Sequence, residues 1–146
     1  MRQFCLPHGW GITESHSIDS SSRSKISNLL DDFNIEQTGI SDNQPLDFYL
    51  HDKAGEVNGG LVGRTSLGVL FINFFFIPDS ARRMGVGSEL LKRAENEARQ
   101  RGCHVAMLFT MSIQAPAFYL KHGYTIFGEV ACKPSGNARI FMQKAL

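Results

Sequence analysis

The sequence lacks most of the features that mark a metalloprotein or a disulfide-bonded secreted protein. It has three cysteines in 146 residues, an odd number with no C-x-x-C spacing, so we expect neither a disulfide framework nor a zinc site. Its five histidines show no H-E-x-x-H or other spacing of metal ligands, and we expect no bound metal. The thiols are therefore expected to be reduced.

Charge of one sign and long apolar runs are scarce as well. The formal net charge is +1, and the basic residues are scattered apart from the pair Arg82 and Arg83. We therefore expect no binding to nucleic acid or to a membrane, and any bound polyanion should be small. The longest apolar run, Leu67 to Ile77, is too short to cross a bilayer as a helix, and the N-terminus lacks a signal-peptide core. We expect a soluble, cytoplasmic protein.

What the chain does have is an alternation of strand and helix patterns, in a length that suits one domain. The first 45 residues show one helical spacing, Ser24 to Phe33. From Asp47 onwards, two strand-like runs meet at Gly55, and a nearly continuous apolar strand ends at Pro78. An amphipathic helix follows from Val86, and then a strand, a short helix and two strands. The order predicts an α/β (α+β) domain with a mixed sheet and helices on its faces.

The turn between the apolar strand and the long helix has the chemistry of an anion site. It reads R-R-M-G-V-G, from Arg82 to Gly87, so its glycines let backbone N–H groups converge without side chains in the way. A helix N-terminus adds unpaired donors, and two arginines suit phosphate oxygens. No lysine completes a G-x-x-x-x-G-K loop, and Leu90 replaces the third glycine of G-x-G-x-x-G. The pattern that remains is R/Q-x-x-G-x-G/A.

This motif and a second segment resemble the GCN5-related N-acetyltransferase (GNAT) superfamily. Ile77 lies five residues before Arg82, as the end-of-strand residue of that family does. Residues 115–124, A-P-A-F-Y-L-K-H-G-Y, are similar to the family segment A-x-x-F/L-Y-x-x-x-G-F/Y. The resemblance implies a mostly antiparallel central sheet, flanked by helices and splayed at its two central parallel strands. It implies a single acetyltransferase domain, in which residues 1–45 are a variable substrate-side region and residues 47–146 the acetyl-CoA-binding core.

The resemblance implies acetyl-CoA as co-substrate, without a metal. It implies that backbone N–H groups around Met84 to Ser88 hold the CoA pyrophosphate and that Phe75 to Ile77 lie along the pantetheine arm. Ser112 stands where many relatives have asparagine, which leaves that contact open. The residues expected at the cofactor are Phe75, Phe76, Ile77, Arg82, Arg83, Met84, Gly85, Val86, Gly87, Ser88, Ser112, Ala115 and Phe118.

The resemblance also implies a catalytic acid. Tyr119 matches the tyrosine that protonates the departing thiolate in the family; the alternative is that its ring only packs on the CoA arm. The base is not predicted, because the central strand has no carboxylate and Asn73 is its only polar residue. Either the amine arrives neutral or another carboxylate acts through water, with Asp79, Glu56 and Asp47 as candidates.

The expected reaction is transfer of acetyl from acetyl-CoA to a primary amine, by direct attack in a ternary complex. The expected acceptor is a small molecule, either a metabolite or an amine-containing antibiotic. Alternatives are an acetyltransferase acting on a protein N-terminus or lysine, a non-catalytic acyl-CoA-binding module and an unrelated nucleotide-phosphate binder. Many relatives dimerise, so a homodimer stays open. His122, just before Gly123, is expected to be a surface histidine favourable to its helix end rather than a catalytic one.

Overall fold

A computed structural model describes residues 4–114 and 116–146, and these residues fall into two compact units. The first unit runs to Ser41 and the second covers Asp42–Leu146. Ala115, one of the expected cofactor residues, lies outside the described residues. No helix in the described part of the chain is both long enough and apolar enough to span a membrane.

The first unit contains helix α1 (Ser20–Thr38), which is longer at both ends than its apolar spacing predicted. Its start is fixed by Asp19, whose side chain accepts a hydrogen bond from the backbone N–H of Ser22. Its end is fixed by Gly39, which adopts a left-handed conformation and closes the last turn on the carbonyl of Ile35. Polar capping residues set these ends, so a search for apolar periodicity alone underestimates the helix.

The second unit is built on six strands. They are β1 (Gln44–His51), β2 (Val57–Ser66), β3 (Val69–Phe76), β4 (Val105–Met111), β5 (Thr125–Cys132) and β6 (Asn137–Ala145). They form one sheet in the order β1-β2-β3-β4-β6-β5, in which only the central pair β3 and β4 is parallel. The prediction of a mixed, mostly antiparallel sheet is confirmed.

Two helices of the second unit pack on the sheet, α2 (Val86–Gln100) and α3 (Pro116–Lys121). The buried stripe of α2 includes Leu91, Ala94 and Ala98, as its apolar periodicity predicted. These side chains join one buried cluster with residues from one face of the sheet, which we call the α2 face: Leu46, Leu61, Leu70, Ile72, Ala106, Leu108, Ile140 and Met142.

A buried charged network ties α2 to the last strand. Glu95, on α2, is 4% exposed, and its two carboxylate oxygens lie 2.6 and 3.1 Å from the ammonium nitrogen of Lys144 on β6. The hydroxyl of Tyr124 donates a third hydrogen bond to this carboxylate, at 3.3 Å. A buried carboxylate is tolerated only when it is paired in this way, so the network holds the helix against the sheet.

The two central strands separate at their carboxyl ends. Their pairing runs from Val69 opposite Val105 to Ile72 opposite Leu108 and goes no further. Beyond that point β3 stays paired with β2, and β4 stays paired with β6. The splay that the resemblance implied is therefore confirmed, and we call the opening between residues 73–76 and 109–111 the split.

Candidate active site

The first turn of α2 begins beside the split and exposes backbone donors. Gly85 is the N-cap, in a left-handed conformation with φ 77°, and no side chain caps the helix. The first intrahelical bond runs from the N–H of Glu89 to the carbonyl of Gly85. Helix geometry therefore leaves the N–H groups of Val86, Gly87 and Ser88 without an intrahelical acceptor, at the positive end of the helix dipole. Such a turn suits a phosphate group.

Both glycines suit the turn, for different physical reasons. A Cβ added at Gly87 would lie 3.3 Å from the ring of Phe118 and 3.6 Å from a side-chain carbon of Ile77, which is a tight fit. A Cβ added at Gly85 would meet nothing within 4 Å, but the positive φ strains any other residue. The turn therefore keeps its backbone bare where an anion would approach, and its residues fit a pyrophosphate.

The two arginines of the motif have different surroundings. The Nε of Arg82 donates to the carbonyl of Ile77 at 2.8 Å, and its guanidinium pairs with Asp79. Arg82 therefore shapes the turn as well as carrying charge. Arg83 is exposed at φ 62° and makes no ion pair with any residue that the structure describes. It is the more available of the two for a phosphate oxygen.

Tyr119, on α3, has a buried ring and an accessible hydroxyl. The residue is 7% exposed, and its ring packs 6.2 Å from that of Phe75, 5.2 Å from Phe118 and 5.8 Å from Tyr124. Within residues 4–114 and 116–146, the Tyr119 oxygen has no hydrogen-bond partner. Every fully buried side-chain oxygen in those residues does have a partner, so the Tyr119 oxygen is not fully buried. The hydroxyl therefore reaches solvent. Burial raises the pKa of Tyr119 to about 12, so the phenol keeps its proton at neutral pH.

His122 is not the surface residue that the sequence predicted. Its ring is half-buried, with Nε2 2.9 Å from the hydroxyl oxygen of Ser88 in the first turn of α2. It also lies 4.6 Å from the ring of Phe118, four residues earlier on the same helical face. That spacing was the one signal in the sequence that His122 faces the site. The contact joins α3 to the candidate pyrophosphate turn.

The other expected cofactor residues differ in exposure and in whether their side chains already have hydrogen-bond partners. The hydroxyl of Ser112 donates to the side-chain oxygen of Asn137 at 3.0 Å and accepts from the backbone N–H of Ala138 at 2.9 Å, so it is engaged with β6. Phe76 and Met84 are exposed on either side of the turn. The side-chain oxygen of Gln114, which the sequence did not single out, binds the hydroxyl of Thr110 and the N–H of Met111, which fixes the loop after β4.

Asn73 lies at a β-bulge beside the split. Val62 pairs with Phe74 and Gly63 pairs with Ile72, so Asn73 has no partner in β2. The parallel pairing with β4 has already ended at Ile72, so it has none there either. Asn73 is thus the bulged residue of β3, at the point where the pairing with β4 stops. The sequence identified Asn73 as a polar residue on this strand but did not predict the bulge.

The three carboxylates proposed as alternative bases lie in different settings. Asp79 pairs with Arg82 in the turn, and Glu56 is exposed in the β1–β2 hairpin. Asp47 is half-buried on β1; one of its oxygens accepts from the Tyr49 hydroxyl at 2.7 Å and the other from the backbone N–H of Gly63 at 3.3 Å. Of these three, Asp47 is the one in contact with the bulged region of the sheet.

No group of three or more histidine, cysteine, aspartate or glutamate side chains within the described ranges could hold a metal ion. The arrangement consists instead of a split between parallel strands, a bare helix N-terminus beside it and a protonated phenol packed against β3. This is the architecture of an acetyltransferase. The chain belongs to the acetyltransferase (GNAT) family, whose model matches residues 13–124.

Similar proteins agree with this assignment. An acetyltransferase of Agrobacterium fabrum is 33% identical over 126 residues, covering 86% of this chain and 92% of that protein. Blasticidin-S acetyltransferase of Streptomyces morookaense is 32% identical over 116 residues, covering 77% of this chain and 85% of that protein. The crystal structure of an acetyltransferase from Agrobacterium tumefaciens matches with a TM-score of 0.83 and 31% identity, over 94% of this chain and all of that one.

Proposed function

We propose that this acetyltransferase uses acetyl-CoA as donor and a primary amine of a small molecule as acceptor, with direct attack in a ternary complex. The observation that carries the proposal is the meeting of three features at one end of β3. These are the split after Ile72, the uncapped start of α2 and the Tyr119 ring packed on Phe75. A phosphate, an extended arm and a reacting thioester would each have a place there.

Binding of the donor rests on the chain's backbone. The N–H groups of Val86, Gly87 and Ser88 hold the pyrophosphate, with Arg83 adding a full positive charge. The edge of β3 from Asn73 to Phe76, which β4 does not cover, offers peptide groups to the amide arm. Acetyl-CoA supplies the activated acyl group and the thiol leaving group.

The phenol of Tyr119 donates a hydrogen bond to the leaving sulfur. Attack forms the new C–N bond while the C–S bond breaks, so negative charge develops on sulfur and the amine nitrogen must lose a proton. With a pKa of about 12, the Tyr119 phenol holds its proton more tightly than a thiol with a pKa of roughly 8.5. Tyr119 therefore stabilises the developing thiolate by a hydrogen bond. The proton that the amine loses accounts for the proton on the thiol product.

The acceptor side has no carboxylate on β3, so the amine reacts in its neutral form. The peptide N–H of Asn73, at the bulge beside the split, polarises the thioester carbonyl in this proposal, and its side-chain amide orients the acceptor but cannot take a proton. The similarity to an enzyme named for blasticidin S supports a small-molecule acceptor and includes amine-containing antibiotics among the candidates.

A thiol-release assay tests the proposal. Purified protein and acetyl-CoA are incubated with blasticidin S, aminoglycosides, polyamines, amino acids and peptides, and each product is examined by mass spectrometry. We expect thiol release with at least one small amine, together with a product carrying one added acetyl group. Acetylation of peptides alone would reject the small-molecule acceptor. Tight binding of acetyl-CoA without any turnover would favour a binding module over an enzyme.

A further inference from the structure

We infer that Asp47 and Tyr49 form a cation-recognition site for the acceptor, so that the enzyme selects amines carrying a second positively charged group. The inference rests on the proposed function, because it concerns the acceptor of that reaction. It gives Asp47, named above only as a candidate base, a role in recognising the acceptor, adds Tyr49 of the same strand, and narrows the class of substrate.

The carboxylate of Asp47 is held in place by neutral donors. One oxygen accepts from the hydroxyl of Tyr49 at 2.7 Å, two residues along the same strand face, and the other accepts from the N–H of Gly63 at 3.3 Å. Both contacts leave lone pairs on the carboxylate unused. The hydrogen bond to Asp47 also raises the pKa of the Tyr49 phenol, which keeps the phenol protonated and donating.

The negative charge of Asp47 has no cationic partner within the described residues. None of the ion pairs there includes it, although the side chain is half-buried. Arg64, on β2, is held elsewhere: its guanidinium lies 4.1 Å above the ring centre of Phe71 and donates to Asn43. A carboxylate that is partly desolvated and lacks a counter-charge attracts a cationic ligand more strongly than a fully solvated one does.

The register of the sheet shows where Asp47 lies relative to the split. Asp47 lies opposite Val62, which in turn lies opposite Phe74 of β3, so the three side chains share the face opposite the α2 face. The split begins on the far side of β3. Neighbouring strands are about 4.8 Å apart, so the carboxylate and the reacting carbonyl are separated by about two strand spacings, roughly 10 Å.

That separation suits a diamine better than a monoamine. One nitrogen attacks at the split, and a second ammonium or guanidinium group, several bonds away, pairs with Asp47 and places the first nitrogen. The substrate class is therefore a small polyamine or a polycationic molecule of similar span. A monoamine of equal length would reach the split without this charge contact.

Binding measurements with a matched pair of probes test the inference. Hexamethylenediamine and hexylamine have the same carbon chain, and each is titrated into the protein in the presence of CoA by calorimetry. We expect the diamine to bind wild-type protein at least about ten-fold more tightly than the monoamine. Asp47→Asn should remove that difference, Tyr49→Phe should reduce it about three-fold, and the affinity for acetyl-CoA should not change.

The matched control is Glu56→Gln, which removes an equal charge from the exposed turn of the same hairpin and should leave the preference intact. Equal binding of the two probes to wild-type protein, or a preference that survives Asp47→Asn, would overturn the inference. Failure of acetyl-CoA itself to bind would instead overturn the proposed function. Because Asn keeps both hydrogen bonds geometrically possible, loss of folding is not expected, and circular dichroism checks it.

Discussion

The donor end and the acceptor end of the candidate site are built differently. The proposed donor end, from Arg82 to Ser88, is one continuous turn that presents mainly backbone N–H groups and has glycine at two positions. The proposed acceptor end consists of Asp47 and Tyr49 on β1 and the bulge at Asn73 on β3, with β2 between them. A backbone site leaves a local motif in the sequence, whereas a side-chain site depends on register.

This difference has an experimental consequence. Changes at the donor end should alter the affinity for acetyl-CoA whatever the acceptor is. Changes at the acceptor end should alter the discrimination between acceptors and leave acetyl-CoA binding untouched.

The largest effect is expected for Gly85→Glu. The change places a carboxylate at the start of α2 and strains a residue at φ 77°, so it repels the pyrophosphate and distorts its cradle. We expect the affinity for acetyl-CoA, measured by calorimetry, to fall by at least about 100-fold.

Gly55→Glu is the matched control for this prediction. Gly55 has nearly the same φ, 81°, and equally open surroundings, but it lies in the β1–β2 hairpin. It therefore carries the same strain and the same added charge, and acetyl-CoA binding should be retained. Similar losses in both variants would mean that strain, and not the anion site, explains the result.

Removal of the Tyr119 hydroxyl should have the next largest effect. Tyr119→Phe keeps the ring packed on Phe75 and removes the proposed hydrogen bond to sulfur, so kcat should fall by about 100-fold while the Kd for acetyl-CoA changes less than about two-fold. Tyr124→Phe is the control, because the Tyr124 hydroxyl donates to Glu95 and not to the leaving sulfur. This variant should be less stable in thermal denaturation, but the folded enzyme should have an unchanged kcat. Unchanged kcat in Tyr119→Phe would remove the residue from the mechanism.

The pKa of Tyr119 also predicts the pH dependence of turnover. Because burial raises that pKa to about 12 from an ordinary value of 10.0, the donor form persists as the pH rises through 10. The rate should therefore increase as the acceptor amine loses its proton, with no fall from deprotonation of Tyr119 up to at least about pH 10.5. A fall in kcat centred near pH 9 that is absent in Tyr119→Phe would contradict the assignment.

A smaller effect at the donor end is expected from the contact between Ser88 and His122. Ser88→Ala and His122→Ala should each weaken acetyl-CoA binding by about five-fold, because each removes one partner of the 2.9 Å hydrogen bond that fixes the first turn of α2. The double variant should lose little more than either single variant, since both changes remove the same interaction. Fully additive losses would show that the two side chains act independently.

The smallest effect is expected at the bulge. Asn73→Ala keeps the peptide group at the bulge and removes only the side-chain amide, so kcat/KM for the acceptor should fall about three-fold with no change in acetyl-CoA affinity. Steady-state kinetics with both substrates varied separates the two quantities. A large loss of acetyl-CoA affinity would break the division between the donor end and the acceptor end.

Most of the fold was predictable, because the signals are local. Apolar periodicity gave α2, the β-rich run before Pro78 gave β3, and Gly55 gave the first hairpin. The splay of the two central strands was implied by the family resemblance, but its start after Ile72 was not predicted and could not be derived from periodicity. The bulge could not be foreseen either, since any residue in an apolar strand can carry it.

The site was predictable to a lesser extent. The glycine turn and Tyr119 belong to local motifs, but the surroundings of Ser112 and His122 do not, because Asn137 and Ser88 are far from them along the chain. The only sign in the sequence of the hydrogen bond between Tyr49 and Asp47 was their two-residue spacing on a strand. Long-range contacts of this kind require the register of the whole sheet.

The ion pair between Glu95 and Lys144 joins two parts of the chain that are synthesised at different times. Helix α2 begins at the donor end, yet the counter-charge for its buried carboxylate lies 49 positions later in the sequence. During synthesis the glycine turn leaves the ribosome well before Lys144 does, and until then Glu95 would remain buried without its partner or stay in water. Helix α2 therefore gains the counter-charge for its buried carboxylate only after β6 has emerged.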